Sequence, residues 1–308
     1  MADNWAESLR TVEYRNNVTH ELKQQPGILY PLAGSSDTYS SKSAEIEQRF
    51  AGLTLQKKTT RNGDTNNVDP SASVRFVKKP GSSNVAPLLD RDDKHATSVD
   101  MKSPLVMETA DAVRAYHDDQ FLTGWWGNGW TGETGDIAVP FTAGNKVAHT
   151  YGGGGSVGLT KAKLIELRRL LGTANVSMQR EKPIILLDPD SESDLLNINE
   201  YVNKDFGEGS PLMTGEIKPW LGFRFFSVNM KDAVAFPNSA ALFQVGGINR
   251  LPVIIPSGIH RGVWVEFFGK ITERDDKQFS EQIYAEAESA VVRTNEAKAW
   301  FLETKPAA

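Results

Sequence analysis

The stretch Leu53–Val77, LTLQKKTTRNGDTNNVDPSASVRFV, decides how this chain is to be read. Leu53 to Thr60 reads as a strand. Arg61-Asn62-Gly63-Asp64-Thr65-Asn66-Asn67 is a dense turn signal containing Asn-Gly, and Ser73–Val77 reads as a returning strand. The spacing predicts a polar β-hairpin of about 35 residues, with too few apolar side chains to form its own core. Such a hairpin must lie on something, either its own domain or a neighbouring chain. The polar character continues outward, because large apolar residues are sparse from Ser35 to Asp100. Two weak helical patterns precede the hairpin. Trp5, Leu9, Val12 and Asn16 share one face, and Ile46 and Phe50 lie four apart within Lys42–Phe50.

Downstream stands the clearest helix. Ser103 suits an N-cap and Pro104 the first helical position, Val106, Ala110, Val113 and His117 form one stripe, and Gly124 offers a C-terminal cap. A glycine- and tryptophan-rich loop follows at Gly124–Gly132, then strand-like Ile137–Phe141 and the tetraglycine Gly152–Gly155. A second helix is expected from Leu159 or Thr160 to Leu171, ended by Gly172, with Lys161, Lys163, Arg168 and Arg169 solvated. Pro183–Leu187 reads as a buried strand ended by an Asp188-Pro189-Asp190 turn, and Ser193–Asn203 as a helix. Phe223–Val228, Leu251–Ile255, Val263–Phe268, Gln282–Glu288 and Ala290–Leu302 have strand composition. The class is α+β.

Composition removes whole classes of chemistry. The 308 residues contain no cysteine, which excludes disulfides, thiol nucleophiles and thiolate metal sites. The formal net charge of −5 argues against a chain that grips nucleic acid over its whole surface. Apolar runs stop far short of the ~20 residues a membrane helix needs. The opening Met1-Ala2-Asp3-Asn4-Trp5 lacks a secretory pattern, so the expectation is a soluble cytoplasmic product.

No catalytic constellation emerges. The histidines at 20, 95, 117, 149 and 260 show no metal-ligand spacing. His117-Asp118-Asp119 reads as a helix-facing histidine with two solvated carboxylates. Gly152–Lys161 has Leu159 where a phosphate loop needs its lysine, so it reads as a connector. Trp125, Trp126 and Trp130 with Glu133 and Asp136 could stack and cleave a sugar, or simply pack against the helix.

The order of parts resembles the major capsid proteins of tailed bacteriophages, with the Hong Kong 97-like fold. The resemblance rests on the opening WAESLRTVEYRNNVTHELKQQPGILYPLA, on Gln48-Arg49-Phe50 followed by Gln56-Lys57-Lys58 and Thr59–Thr65, and on Leu88–Pro104. Ala115–Asn128 and Thr131–Gly135 complete it. It implies an N-arm over 1–44, an E-loop over 45–100, and a P-domain over 101–159 with its spine helix at 103–124. The A-domain would take most of 160–262, and 263–308 would return to the P-domain. The function implied is non-enzymatic: copies self-assemble as pentamers and hexamers into an icosahedral head around double-stranded DNA, in the virion, with no cofactor. A separate scaffolding protein, a portal, non-specific DNA contacts and a decoration protein would be its partners, with no membrane. Lys57, Lys58, Arg61 and Arg75 on the hairpin, with Asp90, Asp92 and Asp93 beyond it, are candidates for pairing between subunits. No lysine–asparagine pair stands out for covalent crosslinking. The alternatives are an encapsulin-type shell and, from another class, a carbohydrate-binding or carbohydrate-active domain using the tryptophan loop.

Overall fold

The computed structural model describes residues 24, 26–50, 52–55, 57, 61, 69–70, 72–90, 102–153, 155–202 and 217–305. The helical pattern of Trp5–Asn16 lies outside them. In chain order the elements are β1 (Ser35–Thr38), β2 (Ser43–Phe50), β3 (Ala72–Lys78), β4 (Ser83–Val85), β5 (Leu88–Leu89), α1 (Lys102–Trp126), β6 (Gly129–Thr131), β7 (Ile137–Val139) and β8 (Lys146–Val147). Then come α2 (Lys161–Thr173), β9 (Ile184–Leu187), α3 (Pro189–Leu196), α4 (Asn199–Val202), β10 (Arg224–Ser227), α5 (Ala240–Phe243), β11 (Gln244–Val245), β12 (Ile248–Ile254), β13 (Ile259–Arg274), β14 (Ser280–Arg293) and β15 (Trp300–Thr304).

These strands form three sheets. The first runs β1-β13-β14-β4, with β5 also on β14; the second runs β10-β9-β12-β15-β8, with β11 on β12; the third is β2-β3-β6-β7. The second sheet holds the main core. All four residues of β9 are buried, as a central strand covered on both faces requires. Leu164, Leu167 and Leu171 of α2 pack into the same core. The sheet pairs β8, from the middle of the chain, with β15 near its carboxyl end, so it joins distant segments.

The long helix α1 lies along β14 and carries the first sheet. Its amino-terminal half is largely solvent-facing, with Met107 exposed, while Phe121, Leu122 and Trp125 enter the core. The helix passes through Gly124 instead of being capped there. A side chain at that position would strike the Val291 carbonyl of β14, so this glycine permits close helix–sheet approach. Ser103 likewise lies inside the first turn, not at the cap. Among the described residues no helix is long and apolar enough to cross a membrane.

Four local expectations need correction. Lys42–Phe50 is strand, not helix, over Ser43–Phe50. A bulge between Glu45 and Glu47 breaks the alternation and leaves Ile46 and Phe50 at a misleading helical spacing. The first hairpin arm accordingly lies before the expected one: the described ladder runs to Phe50↔Ala72, and residues 52–55 and 57 carry no regular structure, while the returning arm Ser73–Val77 falls within β3 as expected. Asp188-Pro189-Asp190 does not end in a turn. It opens α3, with the Asp188 carboxylate accepting from Ser191 N–H and Pro189 in the first turn.

Lys163 is the fourth. It is fully buried, and its ammonium donates to the carbonyls of Val157 (2.7 Å), Gly158 (2.9 Å) and Glu303 (2.8 Å). It ties α2 to the preceding loop and to β15. Burial lowers its pKa to about 8, against the upward pull of Asp194 and Glu303.

Candidate assembly site

The hairpin β2–β3 is fixed at its base and carries exposed apolar residues beyond it. Phe76 of β3 pairs with Trp130 of β6, and the Lys78 ammonium sits 3.6 Å from the Trp130 ring centre. Arg75 Nε donates to the Thr294 carbonyl at 3.2 Å, and Lys79 pairs with the buried Glu288 at 3.0 Å. At the other end Phe50 is 68% exposed, Leu53 65%, and Leu55 fully exposed.

The charged candidates divide. Lys57 and Arg61 are exposed on the connection between β2 and β3. Arg75 is half-buried and turned inward, and burial lowers its pKa. Asp90 is exposed just after β5, on a different sheet from the hairpin. Lys58, Asp92 and Asp93 lie outside the described residues.

The segment leading into the hairpin is a strap held by polar groups. The N–H groups of Gly27 (2.7 Å), Ile28 (3.0 Å), Leu29 (2.9 Å) and Tyr30 (3.0 Å) all donate to the carboxylate of Asp118. The Arg261 guanidinium stacks 4.6 Å from the Tyr30 ring centre. β1 then pairs in parallel with β13 from Ser35↔His260 to Thr38↔Val263. His260 is clasped between Ser35 Oγ (2.8 Å) and Tyr39 Oη (3.0 Å), and Trp264 Nε1 donates to the Ser41 carbonyl.

His117-Asp118-Asp119 is therefore a buried hub, contrary to the expectation of solvated carboxylates. Three successive residues on a helix point in three directions about 100° apart, and each direction here meets a different element. His117 bonds Ser289 Oγ of β14 (2.7 Å) and the Glu266 carbonyl of β13 (2.8 Å). A carbonyl only accepts, so Nε2 carries the proton and Nδ1 accepts from Ser289. Asp118 holds the strap. Asp119 accepts from Ser239 N–H and Oγ and from Asn238 Nδ2, anchoring the loop before α5. The available signal was position: these residues stand one turn before Phe121, Leu122 and Trp125, where solvated carboxylates would be out of place.

Burial lowers the pKa of both His117 and His260, and Arg261 adds to the effect at His117. Each ring is thus kept neutral in the folded chain, while the unfolded chain titrates near pH ~6.5. Stability from these rings is complete above that pH and falls as acid protonates the unfolded state first. The thermal midpoint should hold level from pH 8 to 7 and decline between about 6.5 and 5. A His117→Gln/His260→Gln variant should show a flatter profile in that window. An unchanged slope would remove the histidines from the account.

The tryptophans pack instead of forming a sugar platform. Trp125 is fully buried and meets Trp126 edge-on at 4.6 Å; Trp126 also packs on Phe141 and Phe301. Trp130 is covered by Lys78. Arg293, also fully buried, ties the end of α1 to this loop through the carbonyls of Trp125 and Gly127.

Comparison with known proteins gives the same reading. The model of the family described as phage capsid protein matches residues 6–302. No curated protein matches. Among solved structures, the capsid of cyanophage Pam1 aligns with a TM-score of 0.72 at 12% identity, covering 100% of this chain and 100% of that one. A chain from Mycobacterium phage Che8 aligns at 0.70 and 12%, covering 96% and 97%. The capsid of cyanophage P-SCSP1u aligns at 0.69 and 12%, covering 98% and 94%. The architecture is thus the α+β, Hong Kong 97-like fold of phage shells, spanning essentially the whole chain. The chain belongs to the phage capsid protein family, as a structural protein that assembles with its own copies into the virion head.

Proposed function

We propose that copies of this chain close into an icosahedral head of pentamers and hexamers around double-stranded DNA, with each hairpin lying on the next subunit. The observation that carries this is the hairpin itself: tied down at Phe76, Lys78 and Lys79, yet carrying Phe50, Leu53 and Leu55 exposed among the described residues. Interlocking arms enlarge the area shared between subunits without enlarging each core. A polar arm stays soluble until its partner arrives.

In this reading residues 1–44 are the N-arm, 45–100 the E-loop, 101–159 the P-domain with α1 as spine, 160–262 mainly the A-domain, and 263–308 the return to the P-domain. The packing of α1 along β14 supports the spine assignment, and the core of α2 with β9 and β12 supports a separate A-domain. Lys57, Lys58 and Arg61 would meet Asp90, Asp92 and Asp93 of neighbours. Such pairs, exposed and screened, tune register more than affinity. A net charge of −5 suits non-specific, releasable contact with packaged DNA. A scaffolding protein, a portal and an outer decoration protein complete the set of partners.

Negative-stain microscopy of the purified protein tests this. Shells or five- and six-membered rings are the expected result. A uniform monomer at all concentrations and salts would contradict it.

A further inference from the structure

Where α1 meets β14 the facing side chains are small. Ala285 and Ala287 stand two apart on β14 and so point to one face, and with Val113 of α1 they form an apolar cluster separate from the main core. Ala112 of α1 and Val85 of β4 extend the apolar wall. Small side chains on facing elements leave space, and here it is a half-open cavity of about 130 Å³. Interiors ordinarily close such space with larger side chains, because unfilled volume costs stability.

The polar groups of the lining are few: Ser83 and Asn84 on β4, and Tyr116. The Tyr116 hydroxyl is buried without a well-formed hydrogen bond, although Ser83 and the Ser289 backbone stand near it. Ser83 itself lines the cavity, so this hydroxyl stands on the β4 side of it. None of the lining residues is charged.

We infer that the cavity binds one small, neutral, mainly apolar molecule with a single hydroxyl or carbonyl oxygen, of the size of a phenol. Volume sets the size: an apolar cavity of roughly 150 Å³ accepts benzene, so one six-membered ring with a small substituent fills this one. The lining sets the charge, since an ion entering would give up its hydration and meet no counter-charge. Tyr116 sets the polar atom. Its hydroxyl donates to the oxygen of the occupant and gains the partner it lacks. The filled cavity ties α1 to β14 and β4, so the occupant favours the folded chain. The inference goes beyond the shell reading and stands whether or not shells form.

Phenol is the probe, added to the unassembled 308-residue chain, with benzene and phenyl phosphate beside it. The methyl resonances of Ala112, Ala285 and Ala287 should move with saturable phenol, while alanine methyls elsewhere stay in place. At ten times its dissociation constant phenol multiplies the folded-to-unfolded ratio about elevenfold and raises the thermal midpoint by about 2 °C. Benzene should bind about fivefold more weakly, through loss of one hydrogen bond, and phenyl phosphate not at all. Tyr116→Phe should abolish the gap between phenol and benzene while keeping the site. Ala287→Leu fills the cavity from the strand, and Ala112→Leu fills it from an exposed helix position that tolerates leucine. Each should weaken phenol binding about tenfold or more by occupying the space. Unmoved alanine methyls at saturating phenol would overturn the inference. So would equal affinity for phenol and benzene in the unsubstituted chain, or undiminished binding by an Ala112→Leu chain with native circular dichroism. If Ala287→Leu does not fold, Ala112→Leu decides.

Discussion

Replacing Ala51–Ser71 by Asn-Gly is expected to give a soluble, folded subunit that forms no closed shell. The ladder between β2 and β3 already ends at Phe50↔Ala72, so a two-residue turn of the type that joins antiparallel strands can close it there. Every contact that holds the hairpin to the body is kept: Phe76 against Trp130, Lys78 over the indole, Arg75 to Thr294 and Lys79 to Glu288. Leu53 and Leu55, which bury little or nothing in the subunit, are removed at little cost to it. The thermal midpoint of the free subunit should shift by no more than about 2 °C, the effect of roughly 1 kcal/mol in a chain of this size. Electron microscopy and sedimentation should show subunits or small rings only. Closed particles of normal size would show that the arm is dispensable.

Asp118→Ala is expected to be the most damaging single substitution in the strap. Four backbone N–H groups converge on this carboxylate, and the side chain itself is 3% exposed. Alanine leaves those donors without an acceptor. Water can reach the outer ones, since Gly27, Ile28 and Tyr30 are only partly buried, while Leu29 is fully buried. A loss of about 3 kcal/mol follows, from roughly 1–3 kcal/mol for each donor left buried and unpaired. That corresponds to a fall in thermal midpoint of about 5 °C. Amide exchange should accelerate at 27–30 and along β1, while the main core around β9 and α2 keeps its protection. Asp119→Ala should instead loosen 238–239. A uniform loss of protection from Asp118→Ala would mean that the strap is not a separable unit.

The parts legible in the sequence were those whose signal is local. The apolar run at Pro183–Leu187 read as a buried strand, and the spacing of Val106, Ala110, Val113 and His117 marked a long helix. The polar hairpin was recognisable from its Asn-Gly turn and its poverty in apolar residues. Its first arm was misplaced because Leu53 and Leu55 alternate like a strand but stay exposed, while its returning arm Ser73–Val77 falls within β3. The true arm, Ser43–Phe50, is disguised by a bulge. Asp188-Pro189 has the same composition whether it ends a strand in a turn or caps a helix, and only the helix behind it decides. Asp118, Asp119 and Lys163 were taken for solvated charges because burial of a charge depends on partners far away in the chain: Gly27–Tyr30, Ser239 and Glu303.

The central claim is that the arm of one copy completes its packing on the next. A reconstruction of assembled particles by cryo-electron microscopy tests it most directly. The expected map shows the hairpin crossing from its own subunit onto a neighbour, with Phe50 covered. A map in which the hairpin folds back on its own subunit, with no part of it on a neighbour, would contradict the account.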